Sequence, residues 1–93
     1  MKYEIFHTSQ FKKSYKLCLK RGYPMEELAS VITNLANDIP LEERFHDHEL
    51  SGQLKGIREC HIRPDWLLEY KKTETKLILT LIDTGTHSDL FNK

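Results

Sequence analysis

Five histidines stand in this chain: His7, His46, His48, His61 and His87. Imidazole titrates near neutrality, so a histidine can take or give a proton at physiological pH, and two of them can divide an acid–base reaction. Their positions separate them. His48 lies in a polar loop before three strand-like runs, and His61 sits in the first of those runs, with Asp65 just past its end. His87 follows the Thr84-Gly85-Thr86 turn after the last run. A compact sheet brings such termini to one edge. The candidate constellation is therefore His48, His61, Asp65 and His87, with Trp66 and Phe91 as aromatic neighbours. His7 and His46 read as surface residues outside it, and on pattern alone Trp66 suits a core better than a stacking surface. Three histidines and an aspartate can also hold zinc, but no HxxxH pair puts two ligands on one helix face, so neither a metal nor a cofactor is expected.

The elements that must position these groups follow from hydropathy. Tyr3, Ile5 and Phe6 predict a short opening strand. Thr8 or Ser9 offers the N-cap of a helix that runs to Arg21 and stops at Gly22, with Phe11, Tyr15, Cys18 and Leu19 as its apolar face. Its other face carries Lys12, Lys13, Lys16, Lys20 and Arg21, with no acid between Thr8 and Gly22. Pro24 opens a second helix, where Leu28, Val31, Ile32 and Leu35 repeat at i, i+3, i+4, i+7 before Asn37-Asp38-Ile39-Pro40 ends it. The short link between them implies an antiparallel hairpin.

Three strand-like runs follow: Ile57 to Ile62, Trp66 to Lys71 and Lys76 to Ile82. Their connections are short enough for antiparallel neighbours. Asp83 to Thr86 reads as a turn, and His87 to Phe91 as one terminal helical turn. Period 2 places Ile57, Glu59 and His61 on one face of the first run, and Arg58, Cys60 and Ile62 on the face that suits the helices. The expected architecture is α+β, in the order β-α-α-β-β-β, a helical hairpin packed on a twisted antiparallel sheet in a single domain over residues 1–93.

Composition bounds the function. At 39% hydrophobic and 30% charged, the 93 residues suit a globular domain rather than a disordered chain, and no apolar run is long enough to span a bilayer. Cys18 and Cys60 lie far apart and form no CxxC, which suits reduced thiols and a cytoplasmic location. Fourteen basic residues balance fourteen acidic ones. That balance is a cancellation between segments: 8 to 22 carries only positive charge, while 41 to 49 holds Glu42, Glu43, Asp47 and Glu49 against Arg44. An RNA partner is therefore not excluded, but strong binding to free RNA is not expected.

Three blocks are specific. Asp47-His48-Glu49-Leu50-Ser51-Gly52, Arg58-Glu59-Cys60-His61-Ile62-Arg63-Pro64-Asp65-Trp66-Leu67-Leu68 and Thr84-Gly85-Thr86-His87-Ser88-Asp89-Leu90-Phe91 resemble the signature blocks of YafQ-type toxins of the RelE superfamily, in the same order and spacing. The resemblance covers essentially the whole chain. It implies the toxin of a type II toxin–antitoxin system: a ribosome-dependent, metal-independent mRNA endoribonuclease. Its partners would be the ribosome, mRNA and an antitoxin of ribbon-helix-helix type, with operator DNA bound only through the antitoxin complex. It also implies catalytic roles for His48, His61, Asp65, His87 and Phe91, and an active-site place for Trp66. In such cleavage the 2′-OH attacks the adjacent phosphorus, leaving a cyclic phosphate and a 5′-OH. His87 is expected as the general acid, with His48 or His61, aided by Asp65, as the base; Phe91 would stack on a base.

One position departs from that pattern. The family commonly has arginine just before the TG(T/S)H block, and here Asp83 stands in its place. An arginine there can hold the scissile phosphate, and losing such a donor costs about 10²- to 10³-fold in rate. Three consequences are distinguishable. Lys55, Arg58 or Arg63 takes over the phosphate; Asp83 itself faces the reaction and stabilises a protonated His87; or the chain is a weakened toxin that acts mainly as an antitoxin-binding module and co-repressor.

Overall fold

The computed structural model describes residues 1–54 and 56–91. Its elements are β1 (Glu4–His7), α1 (Ser9–Lys20), α2 (Met25–Ala36), a 3-10 turn (Glu43–Phe45), β2 (His48–Glu49), a second 3-10 turn (Gly52–Leu54), β3 (Arg58–Arg63), β4 (Trp66–Thr73), β5 (Ile78–Gly85) and α3 (His87–Phe91). The strand-helix-helix-strands order is the expected one, with the two-residue β2 added. The five strands lie in the order β1-β5-β4-β3-β2. Neighbours are antiparallel except β1, which runs parallel to β5, so the sheet is mixed rather than wholly antiparallel.

Local chemistry sets the helices. The Thr8 hydroxyl caps α1 by accepting the Phe11 N–H at 3.0 Å, and it lies 2.9 Å from the Leu81 carbonyl, which ties the start of α1 to β5. At the other end, Gly22 adopts φ +77° while its N–H reaches Leu19 O and the Tyr23 N–H reaches Cys18 O. The left-handed Gly22 thus ends α1 directly after its C-cap residue, Arg21, which keeps right-handed geometry at φ −74°. Phe11 and Cys18 of α1 and Leu28, Val31, Leu35 and Ala36 of α2 bury themselves on Cys60, Ile62, Trp66, Leu68, Tyr70, Leu79 and Leu81. Tyr15 and Leu19, expected in the apolar face of α1, remain largely exposed.

β5 continues through Asp83, Thr84 and Gly85, where a turn was expected. The β4 ladder claims those residues: Glu69 pairs with Asp83, Leu68 with Thr84 and Leu67 with Gly85, after a bulge that leaves Ile82 unmatched. Tertiary pairing overrides the turn preference of Asp-Thr-Gly. The extension carries α3, and with it His87, two residues beyond the end of the sheet.

Candidate active site

The open face of the sheet gathers histidines. His61, on β3, pairs across to Leu67, and its ring is 5.5 Å from that of His46, 6.4 Å from His48 and 5.6 Å from His87, centroid to centroid. Phe91 follows at 6.3 Å from His87, on an exposed helical turn. His48, His61, His87, Asp65 and Phe91 are thus brought to one edge, as the sequence implies. A groove of about 990 Å³ opens on His46, His48 and His61 and runs out to Arg44, Phe45 and Arg63.

The Nδ1 atoms of His48 and His87 have different partners. His48 Nδ1 lies 2.6 Å from the His46 carbonyl. A carbonyl only accepts, so Nδ1 carries the hydrogen and Nε2 is the nitrogen left to the cluster. His87 Nδ1 instead lies 2.6 Å from Asp65 Oδ1, and the His87 backbone N–H donates to the same oxygen at 2.9 Å. Those two contacts, the backbone N–H first, hold the Asp65 carboxyl below the usual carboxylate range. Asp65 therefore stands with His87, not with His48 or His61 as the base's helper.

Two residues passed over in the sequence belong to this face. His46 adopts φ +46°, a left-handed backbone that turns its ring onto His61. Glu59 is 5% exposed, with Oε1 3.6 Å from His48 Nε2 and 3.9 Å from His61 Nε2, and Oε2 has no hydrogen-bond partner among the described residues. The period-2 pattern already puts Glu59 beside His61; nothing local marks the turn at His46.

Other expected substrate contacts lie elsewhere. The Trp66 indole is 3% exposed, packs edge-on to Tyr23 and donates from Nε1 to Thr84 Oγ1 at 3.0 Å, so it is a core residue and not an exposed stacking platform. Arg58 falls on the opposite face from His61. There it meets Asp47 at 3.3 Å and the Tyr70 hydroxyl at 3.3 Å. Asp83 is 2% exposed and points to α1, where Ser14 Oγ donates to it at 2.5 Å, and it also accepts the Thr84 N–H. Neither a phosphate contact nor a partner for His87 follows from that position. Lys55 lies outside the described residues. Among the described residues no group of three or more His, Cys, Asp or Glu has the geometry to hold a metal ion. Both cysteines are free and buried, and burial pushes the Cys60 thiol far up, which makes it inert. No helix among the described residues is long and apolar enough to cross a membrane.

A helical hairpin laid on one face of a mixed five-stranded sheet, with the other face left to imidazoles and carboxylates, is the RelE/YafQ-like toxin fold. The crystal structure of YafQ from Escherichia coli BL21(DE3) superposes with a TM-score of 0.88 at 39% identity, over 96% of this chain and 98% of that one. The E. coli DinJ–YafQ complex gives the same TM-score at 40% identity, again over 96% and 98% of the two chains. A metal-bound toxin from Helicobacter pylori gives 0.90 at 39% identity, over 96% and 99%. Residues 3–92 match the model of the bacterial toxin of type II toxin–antitoxin systems, YafQ. The chain is 40% identical to the mRNA interferase toxin YafQ of E. coli K12 over 89 residues, 95% of each. It belongs to the YafQ family of type II toxins.

Proposed function

We propose that this chain is an mRNA interferase that cleaves messages presented by the ribosome, using imidazole acid–base chemistry at the edge where β2, β3 and α3 meet. The observation that carries this reading is the contrast between two ring partners. His48 rests its Nδ1 on a neutral carbonyl, so its neutral form offers Nε2 as a base toward the RNA 2′-OH. His87 rests its Nδ1 on a carboxylate, which compensates the ring's charge while Nε2 holds the proton destined for the leaving 5′-oxygen. His61 lies between the two and meets the phosphate. The attacking 2′-oxygen gives its proton to His48 as the new P–O bond forms, and the departing 5′-oxygen takes one from His87, leaving a cyclic phosphate and a 5′-OH. Glu59 stays beneath as the countercharge of His48 and His61. Phe91, half exposed, stacks on an unpaired base.

The relative's complex with DinJ supports an antitoxin as the regulatory partner. Mapping mRNA 5′ ends after induction tests the reading. Breaks bearing 5′-OH groups within translated regions, absent from His87→Gln, are expected. An uncut transcriptome with wild type, or full cleavage by His87→Gln, rejects it. Chelators should leave cleavage unchanged once ribosome integrity is controlled.

A second reading, a slow nuclease that mainly binds antitoxin, is favoured by one feature. Arg63, a cation of the groove, has its Nε–Nη2 edge held bidentately by Glu27 at 2.9 and 2.6 Å, so a phosphate must compete for that edge.

A further inference from the structure

α3 carries His87 and Phe91, yet it is five residues long and none of them is buried. A single helical turn of that length has no stability of its own, because helix nucleation is unfavourable, so its position depends on what tethers it. Three tethers among the described residues bear on that position. Asp65 holds His87, but that contact involves the reacting group itself. Thr86 and Asp89 cap the turn reciprocally: the Thr86 N–H donates to Asp89 Oδ2 at 2.9 Å, and the Asp89 N–H donates to Thr86 Oγ1 at 3.0 Å. The third reaches across the fold. Arg21 Nη1 and Nη2 donate to Asp89 Oδ2 and Oδ1 at 2.6 and 3.1 Å, a bidentate pair between residues 68 apart in sequence.

Both ends of that pair are pinned. Arg21 is the C-cap residue of α1, just before the left-handed Gly22, its guanidinium lies 5.9 Å from the centroid of the Tyr23 ring, and Tyr23 rests on Trp66 in the core. On the other side Gly85 has φ +154°, and a Cβ there would stand 2.8 Å from Asp89 Oδ2. Only glycine lets the carboxylate reach back over the strand end. We propose that Arg21 is a positioning residue: through Asp89 it fixes α3 against the end of α1, and so holds His87 on Asp65 and against His61. This rests on the proposed acid role of His87. A displacement of about 1 Å at a reacting group costs on the order of 10²-fold, which sets the scale of what a tether can be worth.

The experiment compares wild type, Arg21→Ala, Arg21→Lys and Asp89→Asn, by hydrogen exchange on the isolated toxin and by cleavage on programmed ribosomes. In Arg21→Ala, exchange of the His87 and Leu90 amides should rise at least 10-fold while the β4 and β5 amides keep wild-type protection. The kcat should fall 10- to 100-fold with KM within about twofold. Arg21→Lys, which keeps the charge but not the bidentate grip, should fall between. Asp89→Asn keeps an acceptor for the Thr86 N–H and should resemble Arg21→Ala. Unchanged α3 exchange overturns the proposal, as does a loss expressed only in KM, the signature of a general charge effect on RNA binding. A uniform rise in exchange over the whole sheet does so too. If wild type fails to cleave, the nuclease reading falls while the exchange data still judge the tether.

Discussion

One carboxylate oxygen, Asp65 Oδ1, holds both the ring and the backbone of His87, at 2.6 and 2.9 Å. Two hydrogen bonds from one residue to one acceptor leave the imidazole little rotation about χ1, so Nε2 keeps a fixed direction. Because His87 holds the Asp65 carboxyl below the usual range of about 3.9, Asp65 stays ionised through the pH range in which histidines titrate. Asp65→Asn keeps an acceptor for the backbone N–H but removes the countercharge. Its kcat should fall on the order of 10- to 100-fold with KM little changed, measured on programmed ribosomes. Wild-type kcat in Asp65→Asn would remove the carboxylate from the mechanism.

Asp83 makes a separate prediction, about the fold rather than the chemistry. Its carboxylate is buried against Ser14 and the Thr84 N–H. Asp83→Ala leaves the Ser14 hydroxyl and that N–H to find other partners. Chemical denaturation should show a loss of about 1 to 3 kcal/mol, while cleavage per folded molecule stays within about threefold. A large drop in kcat with unchanged stability would return Asp83 to the active site.

These residues also mark where sequence patterning succeeds. The two helices and β3 to β5 follow from apolar spacing and from glycine and proline stops, because each is an amphipathic segment whose period is local. The parallel pairing of β1 with β5 is not local: Glu4 meets Ile78 across the whole chain. Asp83 to Gly85 carry turn chemistry, and only the β4 partner makes them strand. In the site, His48, His61 and His87 converge because strand ends meet at one edge, which the element order implies. Trp66 looks the same in a core or on a platform until its neighbours are known; Tyr23 and Thr84 decide it. His46 escapes because a single left-handed residue redirects it.

Acid stability has an identifiable source in Asp38, whose carboxylate takes Lys2 at 2.8 Å and Lys72 at 2.9 Å and so ties the N-terminus to β4 and the end of α2. Hydrogen bonds from Lys2 and then Lys72 lower its pKa to about 2. A carboxyl depressed in the folded state contributes stability above its unfolded value of about 3.9, and the contribution is lost as pH falls through about 2. Wild type should therefore lose thermal stability between about pH 4 and pH 2 more steeply than Asp38→Asn. The difference should shrink in high salt, because the pair is at the surface. Parallel melting curves for the two proteins across that window would remove Asp38 from the account.

The Glu27–Arg63 pair gives the sharpest test of how the phosphate is held. Arg63 lines the groove beside His46, His48 and His61, but the Nε–Nη2 edge of its guanidinium is engaged by Glu27, and Arg63 in turn lowers the Glu27 pKa. An incoming phosphate must break that grip or share it. Charge-assisted bidentate pairing is the same geometry that a phosphate would use, so the carboxylate is a direct competitor. Glu27→Gln removes the charge, keeps the shape, and leaves Arg63 free to turn toward the scissile group. If Arg63 serves where the family commonly has an arginine before the TG(T/S)H block, Glu27→Gln should raise kcat several-fold, and Arg63→Ala should lower it by about 10²-fold in either background. If the groove cation plays no part, Glu27→Gln and Arg63→Ala will both cleave at the wild-type rate. In that case the phosphate is held by other groups of the site, and the Glu27–Arg63 pair serves the fold alone.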